Sequence, residues 1–94
     1  MKEKIENKLI RELAYSKTSA SRTATDLCNI KNQDLKKALL DWLQCGFNNQ
    51  VIIDTYSTTT LMEKYHMTYP AALIFLDWYI ENPDEAVTVL EMRM

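Results

Sequence analysis

The chain has 94 residues, 47% of them hydrophobic and 26% charged, with a formal net charge of −2. That profile fits one globular domain over residues 1–94, near the lower end of comfortable size. A single glycine, Gly46, and two prolines, Pro70 and Pro83, leave little room for tight turns or a flexible linker, so the expected class is all-α: a compact bundle of about five to six short helices. The charged start "MKEKIENKLI" has no apolar stretch behind it, which argues against a secretory or transit segment. The longest apolar run, 71–76, is far shorter than the roughly 20 residues of a membrane span; a cytoplasmic location is the expectation. Cys28 and Cys45 are too few for a disulfide scaffold and are expected as reduced packing residues.

Ile5, Leu9 and Leu13 recur at a spacing of four among Lys, Glu, Asn and Arg, which predicts an amphipathic helix over 3–15. "SKTSASRT" breaks the pattern with small hydroxyl residues, and Ser21, Thr23 or Thr25 is expected to cap a short helix ending at Cys28 or Asn29, with Asp26 in its first turn. After the turn "KNQ", a helix from Asp34 places Leu35, Ala38, Leu39, Trp42 and Leu43 on one face and Lys36, Lys37, Asp41 and Gln44 on the other, with Gly46 at its C-cap. The β-branched Val51, Ile52 and Ile53, flanked by polar turn formers, suit a short extended piece. Ser57 caps a helix to about Tyr65, and Thr68 with Pro70 opens another to about Glu81. Asn82, then Pro83, Asp84 and Glu85, start a last helix over 82–93 with Ala86, Val89 and Leu90 on one face.

The fifth of these, within "TYPAALIFLDWYIENP", is apolar nearly all round. Such a helix is ordinarily buried on every side, which makes Ala72, Leu73, Phe75, Leu76, Tyr79 and Ile80 the expected centre of the core. A domain this small has difficulty covering a whole helix circumference. Tyr69, Trp78 and Tyr79 are therefore candidates for a homodimer or partner interface, where aromatic residues concentrate.

Two segments share a plan. "TDLCNIKNQDLKKALLDWL" and "TTLMEKYHMTYPAALIFLDWY" each run from Thr-x-Leu through a polar turn to a helix bearing Leu-Asp-Trp, at 40–42 and at 76–78. Both resemble the helix-turn-helix. In the second, Leu61, Tyr65, Met67, Ala72 and Phe75 fall at its inward spacings, Met62 and His66 stand where it keeps a small residue and a glycine, and the outward positions are Tyr69, Pro70, Ala71, Leu73, Ile74 and Asp77. Those side chains do not suit base readout, which draws on Arg, Lys, Asn or Gln. The first, extended to "RTATDLCNIKNQDLKKALLDWLQCGF", is similar to the recognition half of small winged-helix regulators, with Leu27 to Leu35 about three residues shorter than the usual inward pair. The resemblance implies a DNA-contacting set of Arg22, Lys31, Asn32, Gln33, Lys36 and Lys37.

Charge is unevenly distributed. Residues 1–37 carry nine Lys and Arg against five acids, whereas 38–94 carry two against eight. A basic half beside an acidic half speaks to partners rather than to fold. Two readings follow: a non-enzymatic DNA-binding or transcription-associated regulator using the basic half, or a protein-binding module or inhibitor that engages a basic partner through Tyr69, Asp77, Trp78, Glu81, Asp84 and Glu85. Enzymatic chemistry has no positive signal. His66 is the sole histidine and shares no ligand spacing with either cysteine, one glycine builds no phosphate-cradling loop, and the Asp84–Glu85 pair sits at a helix start; neither metal nor cofactor is expected.

Overall fold

The computed structural model describes residues 1–92 and is an all-α bundle of six helices with one small β-hairpin. Helix α1 (Lys2–Leu13) buries Ile5 and Leu9 and ends at Ala14, whose left-handed backbone (φ 57°) turns the chain back on itself. Helix α2 (Lys17–Cys28) starts earlier than the hydroxyl pattern suggested. Ser16, not a residue between 21 and 25, accepts the Ser19 amide as N-cap. The reason is packing: Ala20, Ala24 and Leu27 form the buried stripe of α2, and the small residues let it lie closely against α1. Helix α3 (Gln33–Cys45) is capped by the Asn32 side chain on the Leu35 amide, buries Leu35, Ala38, Leu39 and Trp42, and stops at Gly46 with φ 77°, a conformation that glycine adopts without strain.

The extended piece is one strand of a hairpin. Strand β1 (Ile52–Ile53) pairs antiparallel with β2 (Tyr56–Ser57), Ile52 opposite Ser57 and Ile53 opposite Tyr56. Asp54 supplies the left-handed turn residue (φ 55°), a role that aspartate tolerates better than most. Ser57 also caps α4 (Thr58–Tyr65) through the Thr60 amide, so the hairpin and helix share one residue. His66 closes α4 in the left-handed region at φ 58°. Thr68 then caps α5 (Tyr69–Glu81) through the Ala71 amide while its hydroxyl meets the Tyr15 hydroxyl at 2.6 Å, tying the head of α5 to the α1–α2 turn. Helix α6 (Pro83–Met92) follows directly and buries Ala86 and Leu90; the expected end of this helix at Arg93 lies outside the described residues.

Helix α5 is the hub: α2, α3, α4 and α6 all pack on it, and Ala72, Leu73 and Leu76 are wholly buried. Phe75 and Tyr79 join Tyr56 of the hairpin in an aromatic cluster, with Tyr56 5.8 Å from Phe75 and 5.1 Å from Tyr79 between ring centroids. Two expectations need correction. Ile80 is exposed rather than central, standing one residue before α5 ends at Glu81. Cys28 and Cys45 are exposed, each at the last turn of its helix on a face turned to solvent. Trp42 is buried, with the Lys8 ammonium 4.8 Å from its ring centroid, but Trp78, its counterpart in the other Leu-Asp-Trp, is only half-buried. No helix among the described residues is long and apolar enough to cross a membrane.

Candidate docking site

The residues singled out as basic and acidic partners of different molecules meet each other. Asp77, from α5, accepts the backbone amides of both Lys31 and Asn32 at 3.2 Å through one carboxylate oxygen, so a side chain distant in sequence sits at the head of α3. Glu81, one turn further, pairs with the Lys31 ammonium at 3.0 Å. The Asn32 side-chain oxygen is occupied in capping α3. Of the candidate nucleic-acid set, Gln33, Lys36 and Lys37 are exposed along α3 and Arg22 on α2, and none of these takes part in an ion pair among the described residues.

Tyr69 is not a docking residue. It is 3% exposed, and its hydroxyl donates to the Asn49 carbonyl at 2.6 Å, which fastens the loop after α3 to the head of α5. Burial, reinforced by nearby Asp41, pushes its hydroxyl pKa up to about 12. Pro70 and Leu73 are likewise buried, so of the outward positions on a helix-turn-helix reading only Ala71, Ile74 and Asp77 reach the surface. Tyr79 donates to Asp54 at 3.0 Å, bracing the hairpin; that hydrogen bond is the main cause of its raised pKa. Asp84 and Glu85 are exposed in the first turn of α6, where negative charge suits the helix dipole, and Glu85 accepts from the Asn82 amide group at 2.7 Å.

Ala71, Ile74 and Trp78 form a partly uncovered stripe on α5, opposite Ala72, Leu73 and Leu76. On one side of it lies a small apolar cleft against α6 of about 140 Å³, completed by Met67, Phe75, Val89 and Leu90. On the other side a wider hollow of about 380 Å³ is lined by Asp26 and Asn29 of α2, Lys31, Asp77 and Glu81. Ile74 and Trp78 belong to both, so the two form one face with an apolar floor and a largely acidic rim. Asp26, Ala71, Ile74 and Val89 were not among the residues expected to bind a partner. The signal for the stripe was present as an i, i+3, i+7 spacing, but uniform hydrophobicity around α5 concealed it.

A larger open hollow of about 510 Å³ between α3 and the hairpin is lined by Asp34, Lys37, Asp41, Asn49 and Gln50 around Ala38, Val51 and Ile52. It mixes both signs of charge and gathers no catalytic set. Among the described residues no group of His, Cys, Asp and Glu is arranged to hold a metal ion. No family model matches the chain, and neither a curated protein nor a solved structure matches it, so its function has to be read from this geometry.

Proposed function

We propose that the protein is a small non-enzymatic binding module that engages a basic protein partner in the cytoplasm through the α5–α6 face. One observation carries this reading: the half-covered Ala71–Ile74–Trp78 stripe has Asp26, Asp77 and Glu81 along its rim, with Asp84 and Glu85 exposed at the start of the adjoining α6. An apolar centre supplies affinity when covered, and a ring of like charge steers an oppositely charged partner and repels others. The same ring disfavours a two-fold homodimer on this face, since an isologous contact would set acids against acids. Free, exposed cysteines suit a reducing compartment.

Duplex DNA is the second reading, favoured by the exposed flank of Gln33, Lys36 and Lys37. A reading helix ordinarily meets bases with its first turn. Here Asp77 and Glu81 occupy the neighbourhood of that turn, where they would oppose phosphates, and Glu81 takes the Lys31 charge for itself. The protein partner therefore ranks first. A photo-crosslinking amino acid at position 78, compared with one at position 36 in cells that express the protein, separates the two. A discrete protein adduct from 78 supports the docking face; nucleic-acid adducts from 36 and none from 78 would replace it with the DNA reading.

A further inference from the structure

Resting on the protein-binding reading, we infer that the occupant of this face is a cationic amphipathic helix, and that it docks by taking Glu81 from Lys31. The floor and walls come mostly from α2, α5 and α6, whose main-chain groups are committed to their own helices, and the turn residues that complete them, Asn29, Lys31 and Met67, have their amides bonded within the protein. Among the described residues no strand edge is offered there. An extended segment laid over Ile74 and Trp78 would leave its own amides and carbonyls unpaired against apolar surface, whereas a helix arrives with its hydrogen bonds already made. Ala71 and Trp78 lie two helical turns apart, about 10 Å, so two to three turns of a partner cover the stripe. The cleft of about 140 Å³ between Trp78 and Val89 has room for one Leu- or Met-sized side chain as the anchor.

The rim decides the charge of that helix. Among the described residues Lys31 is the one cation lining the hollow, against Asp26, Asp77 and Glu81. Its bond to Glu81 joins side chains that are 78% and 51% exposed, and an ion pair so open to water is weak and readily exchanged. A Lys or Arg on the partner, held in place by an apolar anchor, replaces it. Lys31 thus acts as an occupant of the site in the free protein, and its removal favours binding.

The probe is a synthetic 16-residue Leu/Lys peptide with helical amphipathic spacing, titrated into the full chain by fluorescence anisotropy. Two controls accompany it: one of the same composition with its periodicity scrambled, and one with Glu in place of Lys. The periodic Leu/Lys peptide is expected to bind at least tenfold more tightly than either and to gain helical circular dichroism on binding. Ile74→Lys is expected to weaken it at least tenfold, Ala71→Lys serving the same purpose if the first variant loses its cooperative melt. Asp26→Lys with Glu81→Lys has a similar effect, and Lys31→Ala tightens binding several-fold. Equal binding of the scrambled peptide or of the Glu peptide would overturn the inference, and weaker binding by Lys31→Ala would overturn the exchange at Glu81. If no peptide binds while position 78 still crosslinks to a protein, the helical partner is refuted and the binding module stands.

Discussion

Replacing Asp77 by Ala tests the junction on which the whole site depends. Its carboxylate accepts two backbone amides at 3.2 Å, from Lys31 and Asn32, and so holds α5 to the α2–α3 turn. Each such bond contributes roughly 0.5–1.5 kcal/mol net, more where the amide is shielded from water. The Lys31 amide is exposed and turns to solvent when released, while the Asn32 amide is partly buried and loses more. Asp77→Ala is thus expected to destabilise by about 1.5–2.5 kcal/mol, a large share of the roughly 5–14 kcal/mol available to a domain of this size. Asp41 stands at the same place in the other Leu-Asp-Trp, but among the described residues it accepts only one exposed bond, from the Asn49 side chain at 2.7 Å. Asp41→Ala should therefore cost under about 1 kcal/mol. Urea unfolding of both variants and of Asp77→Asn, which keeps an acceptor without its charge, gives the comparison through midpoints at unchanged slope. Asp77→Ala within 0.5 kcal/mol of wild type (about one weak hydrogen bond), or Asp41→Ala costing as much, would refute the reasoning.

The other Leu-Asp-Trp members differ in the same direction: Trp42→Ala, in the core, should cost about 3–5 kcal/mol, whereas Trp78→Ala, half-buried, should cost about 1–2 kcal/mol in chemical denaturation. His66→Gly should raise stability by about 0.5–1 kcal/mol, because φ 58° strains a residue with a Cβ more than glycine; a lower melting temperature would contradict that. Tyr69 gives a pH dependence. Its hydroxyl is protonated in both states below pH 10, and between the ordinary value of 10.0 and about 12 only the unfolded chain ionises. Folding stability is therefore intact below pH 10 and falls by about 2 kcal/mol toward pH 12; Tyr69→Phe should remove that part of the slope in unfolding curves taken between pH 9 and 11. On the DNA reading, Lys36→Ala with Lys37→Ala should lower duplex affinity and flatten its salt dependence by about two counterions, and an unchanged slope would take these lysines out of the site.

Helix boundaries were most legible where one residue decides them. Gly46, Ser57 and Thr68 end or start helices for local reasons of backbone geometry and hydrogen bonding, and the structure places all three as expected. The start of α2 was not legible, because serine and threonine serve both as caps and as small surface residues on a tightly packed helix. Only the partner α1 distinguishes these uses: with Ala20 and Ala24 pressed against it, the helix extends back to Ser16. The cysteines illustrate a related limit. Residue type predicts burial on average, but Cys28 and Cys45 each fall off the buried stripe of their helices, a matter of angle that α2 and α3 set once Leu27 and Trp42 point inward.

The docking face was harder to read because it is built from residues with opposite apparent assignments. Counting charge along the chain separates a basic half from an acidic one, and that separation suggests a cationic surface free to meet phosphate. Folding undoes it locally: α5 passes beside the turn between α2 and α3, Asp77 takes the two amides there, and Glu81 takes Lys31. The nearby basic residue is then spent inside an acidic rim, while Lys36 and Lys37 remain exposed further along α3. Net charge over a stretch of sequence is thus a poor guide to the field at a surface when the two signs come from helices that pack together. The field follows from which helix ends meet, and here the end of an apolar helix delivers two carboxylates to the turn before α3, where Lys31 stands.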